Sequence, residues 1–172
     1  MMNGLLNSID SKYSDHVNQI LNSLMKSVSS FDQGTSDNVI TAIISTGKIL
    51  FNISTNFNCN DFLSSVIDHL PLKSDLSEDS SIVKNLLFFG SFSESLSPTC
   101  IIKISKVLIK MLAIGRPQLE RWKFDDFELL KQNCILFLSE VSKKLDNQSK
   151  KILSESLYQH EQEFLQQAKL VF

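Results

Sequence analysis

Glycine, proline, tryptophan and cysteine are all scarce in this chain: 5 Gly, 3 Pro, 1 Trp and 3 Cys among 172 residues. A β-rich fold needs a turn about every ten residues, and so few punctuating residues disfavour it. Long helices with short connections are the expectation instead. An excess of one charge is missing too. With 17 basic and 19 acidic residues the net charge is -2, so no strong global field favours nucleic acid or an anionic membrane. No apolar run approaches the roughly 18 residues of a membrane span. The start, Met1-Met2-Asn3-Gly4-Leu5-Leu6, has neither the basic end nor the long apolar stretch of a signal peptide. A soluble, non-secreted protein is expected, with neither nucleic acid nor membrane as a partner.

Signatures of chemistry are also lacking. Cys59, Cys100 and Cys134 are odd in number and far apart, without a Cys-x-x-Cys pair, and read as reduced, mostly buried thiols of an intracellular protein. His16, His69 and His160 have no helical partner at a metal-ligand spacing. No phosphate-cradling, nucleophile-elbow or dinucleotide-binding glycine motif occurs. The chain is therefore read as a non-enzyme without cofactor or metal.

What is present is helical periodicity. Ser14 can cap a helix to about Ser29, with Val17, Ile20, Leu21, Leu24 and Val28 on one face. Asp37 or Ser36 opens a second, whose stripe is Ile40, Ile43, Ile44, Gly47 and Leu50. Gly47 costs roughly 1 kcal/mol against alanine inside a helix, a cost consistent with close approach of a neighbouring helix. Asn60 or Asp61 opens a third through Phe62, Leu63, Val66, Ile67 and Leu70, stopped by Pro71. Asp75 and Glu78 start a fourth through Ile82, Val83, Leu86, Leu87 and Phe89, with Gly90 as its cap. Ser97-Pro98 starts a fifth, running to Gly115 and Pro117. Asp125 and Glu128 start a sixth, with Phe124 and Leu129 placed as a staple and Leu130, Cys134, Phe137, Leu138 and Val141 as its face. A seventh runs from Ser149 to near the end, with Ile152, Leu153, Leu157, Phe164, Leu165, Ala168 and Phe172 as contacts. Its polar middle, Tyr158 to Glu163, is expected to project from the body.

Periodicity alone does not separate a bundle from a solenoid. Helices two, four and six start near residues 37, 77 and 125, close to the 40–47 residues of a HEAT unit. The wording is more specific. Asp37-Asn38, Ala42 and Gly47-Lys48-Ile49 are followed by Leu70-Pro71-Leu72, an acidic turn from Asp75 to Asp79, and a long helix over Ile101 to Ile114. This order resembles late HEAT repeats of the importin-β (karyopherin-β) nuclear transport receptors, above all the importin 5 type. Ser64-Ser65-Val66 stands where that family usually has a tryptophan-containing segment.

The resemblance implies an all-α fold, an α-solenoid (superhelix) of HEAT-type helical hairpins with about seven helices. Residues 1–172 would form a single C-terminal segment, about three repeats plus a terminal helix, of a larger receptor. Such a receptor shuttles between cytoplasm and nucleus and carries cargo proteins with nuclear localisation signals through nuclear pores. Ran-GTP and phenylalanine-glycine nucleoporins would be met through the full-length parent, because the family's Ran surface lies mainly in N-terminal repeats. The alternative is a general HEAT-repeat scaffold without a Ran link.

Candidate partner-binding residues fall in two groups. Asp37 and Asn38 open an inner-type helix and either meet cargo or simply cap it. Lys103, Lys106 and Lys110 form one stripe of the fifth helix, followed by Arg116, Arg121 and Lys123. Residues 60–94 are opposite in sign, with Asp61, Asp68, Asp75, Glu78, Asp79 and Glu94 against Lys73 and Lys84. Such asymmetry either orients a charged partner or is a solvated face beside neighbouring repeats. Trp122, Phe124 and Phe127 form an aromatic cluster, read as core or as a groove for nucleoporin phenylalanines.

Overall fold

The computed structural model describes residues 13, 15, 16, 18–23, 26, 37–53, 57–72, 79–113 and 127–172, leaving out the side chains of Asp37 and Phe127. The regular structure among them is helical. The described residues from 13 to 26 are helical throughout. Then follow α1 (Asp37–Ile53), α2 (Cys59–Val66) with a 3-10 turn Ile67–His69, and α3 (Asp79–Gly90). A 3-10 turn Ser93–Ser95 leads into α4 (Pro98–Leu112), and α5 (Phe127–Lys144), α6 (Asn147–Glu155) and α7 (Gln159–Gln167) complete the chain. The expected caps at Ser14, Ser36, Asp75, Glu78 and Asp125, the stops at Gly115 and Pro117, and the staple residue Phe124 lie outside the described residues.

The apolar stripe of α1 is fully inside: Ile40, Ile43, Ile44, Gly47 and Leu50 are all buried. Gly47 is where the Phe62 ring of α2 seats, so close that a Cβ there would overlap the ring. The missing side chain is thus the condition for packing α2 onto α1. Gly90 acts alike. It is the last residue of α3 rather than a left-handed cap, and a Cβ on it would meet Phe137 Cε2 of α5 at 2.6 Å. Ile20, expected on a buried face, is exposed, while its neighbour Leu21 is buried.

Capping polar groups decide where the helices begin. Asn58 rather than Asn60 or Asp61 caps α2, its side chain accepting from the Asp61 amide at 3.3 Å. Asn60 is occupied elsewhere: its Oδ1 accepts from the Ser97 amide at 2.7 Å and its Nδ2 donates to the Ser95 carbonyl at 3.3 Å. Pro71 ends the α2 unit as expected, with Leu70 already extended. Ser97 caps α4 and Pro98 occupies its first turn.

The seventh helix of the sequence reading is two helices. Asp146 caps α6, its Oδ1 accepting from the Ser149 amide at 2.7 Å, and these bonds hold its carboxyl below the usual range. After α6 stops at Ser156, Glu161 reaches back and accepts from the Tyr158 amide at 2.8 Å, so α7 starts there. Gln162 Nε2 donates to the free carbonyls of Ser154 and Leu157 at 3.1 and 3.4 Å. Glu161, expected to project, is consequently buried, and Ile152, expected as a contact, is exposed. α7 ends with Lys169 at φ 55° and the Leu170 amide donating to the Leu165 carbonyl at 2.9 Å.

The helices sort into two layers. α1 packs on α3, and α3 on α5; α2 packs on α4, and α4 on α6 and α7. Contacts of α1 with α2, α3 with α4, and α4 with α5 join the layers. One cluster of buried apolar side chains runs from Leu21 to Leu170 between them.

Gly47→Ala is expected to lower stability by about 1–2 kcal/mol in urea denaturation, because overpacking against Phe62 outweighs alanine's helix preference. Phe62→Leu in the same chain should recover part of that loss; equal losses with and without it would contradict the account. Ser105 Oγ is buried without a hydrogen-bond partner. Ser105→Ala should therefore raise stability by about 1 kcal/mol, and a drop would show that the hydroxyl is satisfied.

Candidate functional site

The lysine stripe and the acidic segment, separated in sequence, meet across one cleft. Lys103, Lys106 and Lys110 project from α4 at helical spacing, with Val107 between them. Facing them are Ile67 and Asp68 of the 3-10 turn and Leu70 just beyond it; the enclosed volume is about 250 Å³. Lys103 Nζ sits 2.8 and 2.9 Å from the two Asp68 carboxylate oxygens, tying α4 to the end of α2. Lys110 Nζ lies 5.7 Å above the centre of the Tyr158 ring, at the start of α7. Lys106 has no ion pair among the described residues. Two lysines of the stripe thus hold neighbours, and one stands free.

The other proposed pair lies elsewhere. Asn38 is exposed at the start of α1, in the layer opposite to α4, and the side chain of Asp37 is outside the described residues. Hydrogen bonds between neighbouring helices, expected of residues like these, are made instead by Asn60, Ser64, Asp68 and Asn85. Arg116, Arg121, Lys123, Trp122, Phe124 and the Phe127 side chain are likewise outside the description.

An aromatic cluster that the sequence reading did not single out joins α1 to α3. Phe51 lies 5.8 and 5.9 Å from Phe88 and Phe89 in edge-to-face contact, and 4.7 Å from Phe92. Lys48 Nζ stands 4.7 Å over the Phe88 ring. The spacing Phe88, Phe89, Phe92 places three rings around the end of one helix, a signal available in the sequence.

Among the described residues no group of three His, Cys, Asp or Glu side chains stands together as a metal would need, and no helix is long and apolar enough to cross a membrane. All three cysteines are free and buried. Burial, helped by Cys100, pushes the Cys59 thiol up to about 12, and burial alone does the same to Cys134. A thiol this far above its ordinary value stays protonated and is a poor nucleophile. No family model, curated protein or solved structure matches this chain.

Iodoacetamide labelling of Cys59 and Cys134 in the folded chain should stay slow and nearly constant from about pH 7 to pH 9, where free thiols ionise. A rate climbing with pH as in the unfolded chain would contradict their burial. Linkage has the same sign: unfolded thiols ionise above the ordinary 9.0 while buried ones remain neutral, so stability falls as pH rises from there towards about 12.

Proposed function

We propose that this chain is a HEAT-type α-solenoid segment of a karyopherin-β nuclear import receptor, and that its work is to hold protein cargo without transforming it. The observation that carries this reading is the constant sequence distance of the bonds linking α1 to α3 and α2 to α4. Ser45 to Asn85 spans 40 residues, Asn60 to Ser97 spans 37, Ser64 to Cys100 spans 36 and Asp68 to Lys103 spans 35. Equivalent positions of successive hairpins would be joined at such a distance. Helices α1, α3 and α5 open at residues 37, 79 and 127, intervals of 42 and 48, beside the 40–47 residues of HEAT units.

The residues that carry the resemblance have matching physical roles. Gly47 seats Phe62, Leu70-Pro71-Leu72 terminates the α2 unit, and Asp37 opens α1. In a stack where each hairpin touches its neighbours, small rotations per hairpin add into a change of curvature. Ran-GTP, acting on other repeats of such a receptor, would release cargo by that route.

One observation favours the second reading, a HEAT scaffold without a Ran link. The exposed charge of the α4 cleft is positive, the wrong sign for a basic localisation signal, since like charges across an interface are repulsive.

The test is an import assay in permeabilised cells with surface plasmon resonance beside it. Excess chain is expected to bind cargoes bearing nuclear localisation signals and to slow their uptake. Absence of binding across such a panel, with uptake unchanged, overturns the import reading. Binding of protein partners indifferent to import would assign the scaffold.

A further inference from the structure

We propose that the cleft between α4 and the end of α2 docks an acidic segment of a partner protein, one carrying an apolar side chain among its carboxylates. The inference rests on the protein-binding reading and names the chemistry of what that surface takes.

Its floor and rim differ in character. Ile67, Leu70 and Val107 supply apolar surface, and three ammonium groups stand around it against one carboxylate, that of Asp68. At about 250 Å³ the cleft is smaller than the roughly 300–1,000 Å³ of sites that enclose a small molecule. It suits one or two side chains of a longer segment whose backbone stays outside. The apolar floor argues against nucleic acid, which would leave Ile67 and Leu70 without a complement.

The charges already present define how the site is tuned. Lys103 is neutralised by Asp68, and this acid also repels an incoming carboxylate. Lys106 is unpaired, and Lys110 rests on the Tyr158 ring, where an ammonium keeps its charge available. The first contacts therefore fall to Lys106 and Lys110, with Asp68 as a competitor for Lys103. Removing the competitor should strengthen binding, an effect opposite to that of losing a structural ion pair.

The experiment measures fluorescence anisotropy of a labelled Glu-Glu-Leu-Asp-Glu-Leu peptide with the full chain. A lysine-for-acid peptide and an oligouridine are the comparison probes. The acidic peptide should bind, the basic one should not, and affinity should fall with added salt as exposed charges are screened. Lys106→Glu with Lys110→Glu should weaken binding at least about tenfold at unchanged melting temperature, the change expected when like charges are brought together. Asp68→Asn should tighten it a few-fold. No binding of the acidic peptide, weaker binding in Asp68→Asn, or preference for the oligouridine overturns the proposal. Cargoes that fail in the import assay while the acidic peptide binds would remove the import reading and leave this docking site in place. Cargo binding unaltered by the double lysine variant, with no peptide binding, would do the reverse.

Discussion

The position of α4 governs the rest of the molecule. Cys100, Ile104, Leu108 and Met111 form one stripe along it, and Ser105, Ile109 and Leu112 a second; the first six have no exposed surface. A helix with two apolar stripes must be covered on both sides. α3 and α5 in one layer, and α2, α6 and α7 in the other, supply that cover. Each fully buried leucine or isoleucine contributes about 1.5–3 kcal/mol. An exposed ion pair such as Lys103–Asp68 contributes about 0–1 kcal/mol. Packing therefore decides where α4 lies, and the ion pair only registers the end of α2 against it.

The same burial explains the candidate site. Once both apolar stripes are covered, the strip carrying Lys103, Lys106 and Lys110 is the face left towards solvent. A lysine stripe that looks like an ordinary solvated surface becomes the wall of a cleft, because the α2 turn ends beside it. Ile67 and Leu70 meet it there through the stop that Pro71 imposes. Fold and site thus share one cause.

Much of this was legible in the sequence. Helix identity, the stripe of α1, the stop at Pro71, the Ser97-Pro98 start and the face of α5 all follow from period and local chemistry. Gly47 also announced a close approach, though only the structure names Phe62 as what fills it. The errors have particular causes. Asn60 looked like a helix cap, but its side chain bridges to the Ser95–Ser97 turn, a partner that local sequence does not reveal. The break at Ser156–Tyr158 carries neither glycine nor proline and depends on Glu161 and Gln162 reaching back. Gly90 has the position of a cap and the role of a ring seat. In the site, the meeting of Asp68 with Lys103 is a tertiary fact, whereas the stripe of lysines is plain helical spacing.

Native-state hydrogen exchange followed by mass spectrometry tests the central position of α4 most directly. Amides across residues 98–112 should exchange only with global unfolding, while α6 and α7, covered on fewer sides, open at lower free energy. Exchange in α4 that keeps pace with α6 and α7, or runs ahead of them, would contradict the account.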